Sequence, residues 1–146
     1  FADAISAAQE EMRTRGRPEA QKVIVFLSDG DAGASSANIS TSKYASQCRQ
    51  GVAAAQSAAA AGTWVYSAAY GAANSGGCAT DNPAITPCAT MQQIASSSER
   101  FFPDVGASSI SCTSTINTAS DVIGIFTAIG TSLSATSPRL ILNSTS

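Results

Sequence analysis

Apolar residues along this chain fall into two kinds of pattern, one spaced as on a helix and one continuous as in a buried strand. Ile5, Ala8 and Met12 recur at helical spacing, Asp3 stands as an N-cap or first-turn acid, and Gly16 with Pro18 predicts the stop. Next comes Lys22-Val-Ile-Val-Phe-Leu-Ser-Asp-Gly-Asp31, whose apolar run from Val23 to Leu27 has no polar alternation. Such a run suits a strand covered on both faces in a parallel sheet, so it is expected to be central. Gly30 permits a tight exit. Asp29 and Asp31 then fall just beyond the carboxyl end of the strand, where ligands collect in open α/β sheets.

The pattern continues in the same alternation. After a small-residue loop from Ala32 to Ser42, Tyr44, Cys48, Val52, Ala55 and Ala59 mark one face of a helix over 44–61, with Gly62 as its C-cap. Thr63 to Tyr70 is rich in aromatic and β-branched residues and predicts a second strand. A long loop, Gly71 to Cys88, precedes Thr90-Met-Gln-Gln93, which has the form of a capping box opening a short helix through Ser98. Arg100 to Phe102 predicts a third strand, stopped by Pro103, and a polar loop runs from Asp104 to Thr118. Ser120 is the expected cap of the last helix, where Val122, Ile125, Phe126, Ile129 and Leu133 form an apolar stripe. Residues 137–146, with Arg139-Leu-Ile-Leu-Asn143, read as a terminal strand or tail beyond a unit over 1–136. Helix and strand in alternation with short joints mean an α/β fold with a parallel sheet.

Composition narrows the chemistry. The chain has 146 residues and no histidine, which removes Ser-His and Cys-His nucleophilic pairs, histidine proton shuttles and the usual zinc enzymes. A net charge of −2 with scattered Lys and Arg offers no basic stripe for nucleic acid. No apolar run is long enough to span a membrane. Because the chain opens on Phe1, it is expected to be a processed product or a piece of a longer protein. Asn38 and Asn143 begin N-glycosylation triplets.

Cys48, Cys78, Cys88 and Cys112 lack the paired spacing of a zinc or redox site, and disulfides in an oxidising, extracellular compartment are the better reading. In a parallel sheet all strand-to-helix loops emerge at one edge, which gathers the four cysteines beside Asp29. If sequential strands are neighbours, Cys48 meets Cys78 and Cys88 meets Cys112, although Cys78 with Cys88 is also feasible.

Several stretches together resemble a von Willebrand factor type A domain. They are Phe1-Ala-Asp-Ala-Ile5, Lys22 to Asp31, Ala61-Gly-Thr-Trp-Val-Tyr-Ser67, Met91-Gln-Gln-Ile-Ala-Ser-Ser-Ser-Glu-Arg-Phe-Phe102 and Ile125-Phe-Thr-Ala-Ile129. The chain is more closely similar to the domains of bacterial surface proteins related to tight-adherence pilus assembly. That family binds magnesium or another divalent ion with an Asp-x-Ser-x-Ser loop, a Thr in a second loop and an Asp in a third. Only the third has a counterpart here, Asp29, with Asp31 as a possible neighbour; the resemblance begins after the second loop. It therefore implies a partial doubly wound sheet lacking the first strands. One edge of Val23, Ile24, Val25, Phe26 and Leu27 would be left open to another chain.

The functional expectation is a non-enzymatic adhesion or assembly module of a bacterial surface or extracellular appendage. An N-terminal half of the same domain, a partner chain or a second copy would complete it, and a divalent ion would bind only if the missing residues finish the site. The alternative is a structural subunit of an extracellular polymer without metal-dependent binding. A hydrolase using Asp29 and Asp31 as paired carboxylates is a third reading, but two acids on a solvated, Gly-containing turn more often cap or bind cations.

Overall fold

The computed structural model describes residues 1–33, 47–72, 78, 81–103, 112–119 and 121–136. The start of the second helix at Tyr44, both Asn triplets, Ser120 and the stretch 137–146 lie outside these residues.

The elements in chain order are helix α1 (Ala2–Arg15), strand β1 (Val23–Ser28), helix α2 (Gln47–Ala60), strand β2 (Trp64–Ala69), helix α3 (Pro87–Ile94), a 3-10 turn (Ser98–Arg100), strand β3 (Phe101–Pro103) and helix α4 (Val122–Thr136). The strands form one parallel sheet in the order β1-β2-β3, with Val23 beside Trp64, Leu27 beside Ala68 and Ser67 beside Phe101. This is an α/β fold. Ile24, Val65, Ala69 and Phe101 face a core built with α1, α2 and α3, in which Ile5, Val52, Met91 and Ile94 are buried. Tyr66, Ala68 and Phe102 face the other way and meet Ile125 and Ile129 of α4, so helices cover both faces. Full burial of each isoleucine contributes about 1.5–3 kcal/mol. The Tyr66 and Ser132 hydroxyls lie 3.1 Å apart and fasten α4 to the sheet.

Small residues set the close approaches. A Cβ on Gly51 of α2 would stand 2.7 Å from the Cβ of Phe1, so its lack of a side chain lets α1 lie against α2. The Phe1 ring in turn meets Phe26 of β1 edge-on at 5.0 Å.

Several local expectations are corrected. Among the described strands β1 is not central: it lies at the edge, and Val25 and Leu27 on the α4 side are 39% and 46% exposed because α4 seats over β2 and β3. The third helix starts at Pro87, not at Thr90. Thr86 caps it by accepting the Ala89 N–H, Pro87 occupies the first turn where no N–H is needed, and the Thr90 hydroxyl donates back to the Thr86 carbonyl. At the start of α4 the Asp121 carboxylate accepts the Gly124 N–H at 2.7 Å as a cap. Along that helix Phe126 is 47% exposed, so the apolar stripe is narrower than its sequence suggests.

Candidate functional site

Two features stand out, the carboxyl edge of the sheet and the free edge of β1. At the carboxyl edge the exit of β1 is a tight polar turn. The Ser28 hydroxyl and the Asp31 N–H both approach Asp29 Oδ1, at 3.3 and 3.2 Å, and the Gly30 N–H donates to the Ser28 oxygen at 3.2 Å. Gly30 has φ +83°, and a Cβ there would come within 2.4 Å of the Pro87 carbonyl oxygen. Only glycine satisfies both demands, and it packs the turn against the first turn of α3.

Two disulfides bind the neighbouring loops. Cys48 is joined to Cys78 and Cys88 to Cys112, with Cα separations of 5.9 and 5.2 Å. The first bridge sits directly on the β1 exit: Asp31 Oδ1 accepts the Cys78 N–H at 3.0 Å, and the Gly30 carbonyl oxygen is 3.2 Å from Cys78 Sγ. Cys48, Cys78 and Asp31 place their sulfur and carboxylate atoms within 4.8 Å of one another. Sulfurs bonded to each other are not thiolates, so this group has no thiolate metal chemistry. Asp29 and Asp31 are both exposed, and each commits one oxygen to the turn. A magnesium ion here would need further oxygen ligands to complete its near-octahedral coordination.

A second latch at this edge was not legible in the sequence. Asp81, 3% exposed, accepts the Arg49 N–H near the start of α2 at 2.8 Å, where the helix dipole favours a carboxylate. The Arg49 guanidinium reaches back to the Pro83 and Ala84 carbonyls at 2.6 and 3.3 Å. Arg49 and Asp81 are 32 residues apart, and no spacing rule links them. Tyr70, just past β2, is 55% exposed at the same edge.

A groove of about 450 Å³ lies between the end of α3 and residues 113–116, lined by Gln92, Ser97, Ser98, Phe101 and Ile116 among others. None of its lining side chains is charged. It offers no acid, base or paired nucleophile.

The free edge of β1 follows from ladder geometry. Trp64 and Tyr70 donate to the Lys22 and Ser28 carbonyls, so the even-numbered residues of β1 turn their backbone groups to β2. In a parallel ladder alternate residues face the same neighbour, so the N–H and C=O groups of Val23, Val25 and Leu27 point outward. Among the described residues no strand pairs with them. On the opposite edge, at β3, the outward groups of Phe101 are engaged. Phe101 donates its N–H to the Ser98 carbonyl and its own carbonyl accepts from the Asn117 side chain at 2.7 Å, while Pro103 has no N–H to offer. The resemblance to the type A domain does not rest on any outside match: no family model, no curated protein and no solved structure matches this chain.

Proposed function

We propose that this chain is a non-enzymatic assembly and adhesion module of an extracellular or cell-surface protein, of the von Willebrand factor A type. A strand from an N-terminal half or from a partner chain completes it along β1. The observation that carries this reading is the outward ladder of Val23, Val25 and Leu27, apolar and free of the proline, charge or bulge that usually guards an edge. Handedness supports it. α1 lies on the same face as α2 and α3, and a right-handed crossover ending in α1 would bring its preceding strand from the open side of β1. Two disulfides suit an oxidising compartment, and among the described residues no helix is long and apolar enough to cross a membrane.

In this reading the acids of the β1 exit hold local structure, Asp29 its own turn and Asp31 the Cys78 backbone. A divalent ion enters this reading only where the completing chain adds the oxygens that Asp29 and Asp31 lack. A polymer built by sheet extension is the weaker alternative, because the outward groups of Phe101 on β3 are already engaged.

The test is the native mass of the non-reduced protein, with sequencing of whatever travels with it, combined with amide hydrogen exchange. Protection of the Val23, Val25 and Leu27 amides in the complex is the expected result. A stable monomer in which those three amides exchange freely under all conditions overturns the proposal.

A further inference from the structure

The disulfide at the β1 exit has a neighbour that the other disulfide lacks. Asp31 Oδ1 stands 3.8 Å from Cys78 Sγ, and Asp31, Cys48 and Cys78 bring their oxygen and sulfur atoms within 4.8 Å of one another. Among the described residues no other acids and cysteines converge in this way, and Cys88 with Cys112 has no third ligand beside it. Independently of the assembly reading, we infer that reduction of the Cys48–Cys78 bond opens a zinc site in which Cys48, Cys78 and Asp31 hold the ion.

The geometry asks for little movement. Zinc takes sulfur at about 2.3 Å and carboxylate oxygen at about 2.0–2.2 Å in a tetrahedral array, which sets its ligand atoms about 3.6–3.8 Å from one another. Asp31 Oδ1 and Cys78 Sγ already keep that separation. Only the two sulfurs must part, which rotation about the side-chain bonds supplies while the Cα atoms stay 5.9 Å apart. The ligands are also placed by bonds that do not run through the disulfide. Cys48 is carried by α2, its sulfur receives the Ala32 N–H at 3.4 Å, and Asp31 accepts the Cys78 N–H at 3.0 Å. A thiolate strengthens the Ala32 bond, and a carboxylate has lone pairs enough to keep the Cys78 bond and ligate as well. Cys48 and Cys78 are buried while Asp31 is exposed, so the ion enters past Asp31 and water takes the fourth position. Two thiolates select zinc over magnesium or calcium.

The electrons balance with a dithiol or phosphine as reductant. It supplies the two electrons that split the sulfur–sulfur bond, two protons convert the sulfurs to thiols, and zinc binding releases both protons as the thiols become thiolates. Both states tie the β1 exit to α2, covalently in an oxidising compartment and through the metal in a reducing one. The zinc-bound state also withholds Cys78 from Cys88, a pairing that the sequence leaves open, until oxidation joins it to Cys48.

The test takes the full chain, reduced with a phosphine and freed of metal, and titrates it with cobalt(II) as a coloured substitute for zinc. A thiolate-to-cobalt charge-transfer band is expected, saturating at one ion per chain, abolished by added zinc and absent from the oxidised chain. Replacing Cys88 and Cys112 with serine is expected to leave the band, and replacing Cys48 and Cys78 to abolish it. Asp31→Asn, which keeps every cysteine, is expected to raise the cobalt dissociation constant at least about tenfold. Circular dichroism on the same samples follows the fold, and where reduction has cost the chain its helices, zinc is expected to restore them. No band in the reduced chain, a band that survives loss of Cys48 and Cys78, a band that requires Cys88 and Cys112, or an affinity indifferent to Asp31→Asn overturns the inference.

Discussion

β1 and β2 are strands of equal length lying side by side, yet they have opposite fates. Val23–Ser28 is the more apolar, and Trp64–Ala69 carries a tyrosine, a serine and two alanines. Nevertheless β2 is buried from Val65 to Ala69, while β1 lies at the edge with alternate residues exposed. Their backbones differ in the same sense. β3 is too short to reach Val65, and there Ser96 stands in for a strand: its hydroxyl accepts the Val65 N–H at 3.1 Å and its N–H donates to the Val65 carbonyl at 2.9 Å. No described residue does this for Val23, Val25 or Leu27. Apolar content therefore marks a surface that must be covered, without saying whether the cover belongs to the same chain. Small residues in β2 let helices approach from both sides, while in β1 Val23, Ile24 and Phe26 pack inward and Val25 and Leu27 stay exposed.

The largest test of this contrast is truncation in the two strands. Tyr66→Ala removes a ring that is 1% exposed and is expected to cost about 3–5 kcal/mol in denaturant unfolding. Leu27→Ala, at 46% exposure, is expected to cost the isolated chain less than about 1 kcal/mol. Equal costs would break the comparison. The Cys48–Cys78 bridge comes next: it spans 30 residues and encloses β2 while leaving β1 outside. Replacing both cysteines with serine is expected to destabilise by about 2–4 kcal/mol, read from thermal unfolding without reductant.

Two glycines sharpen the picture further, because both have φ +83° but only one is crowded. Gly62→Ala meets open space and is expected to cost about 1 kcal/mol for the left-handed backbone alone. Gly30→Ala also strikes the Pro87 carbonyl and is expected to cost about 2–3 kcal/mol. A match between the two would mean that the β1 exit is not held against α3. The smallest effect lies on the solvent side of α1. The Arg13 side chain, hydrogen-bonded to Glu10 at 2.7 Å, holds its carboxyl below the usual range. Any stabilisation from this is present above the ordinary carboxylate pKa and lost as pH falls through the lowered value. Since the pair is fully exposed, Glu10→Gln is expected to leave the unfolding midpoint unchanged within error at pH 7 and at pH 3 alike.

Periodicity and punctuation made most of the elements legible. Ile5, Ala8 and Met12 do face the core, and Gly62 does end α2 in a left-handed turn. Placing the loops at one edge put Cys48 beside Cys78 and Cys88 beside Cys112, the pairs the structure joins. Other features depend on what a residue meets across space. The position of β1 depends on which strands lie beside it, which no run of five apolar residues encodes. Thr90-Met-Gln-Gln93 carries a capping pattern, but Thr86 precedes a proline already fixed for a first helical turn, and that local preference wins. The Arg49 and Asp81 latch and the stacking of Arg100 over Trp64 at 4.3 Å both join residues distant in sequence. At the candidate site, the acids were legible as the exit of a strand, while their engagement with Cys78 and with their own turn was not.

The disulfides also have a mechanical meaning. Each encloses one strand, Cys48–Cys78 around β2 and Cys88–Cys112 around β3, and locks segments of 30 and 24 residues against lengthening. α1 and β1 precede the first crosslink. Under a pull applied at the two ends, those leading residues are expected to peel away and extend by about 3.4 Å each, while the covalent loops stay short. The crosslinked block thus lies between two extensible arms, α1 with β1 on one side and α4 on the other, and the first arm is the part that carries the open edge.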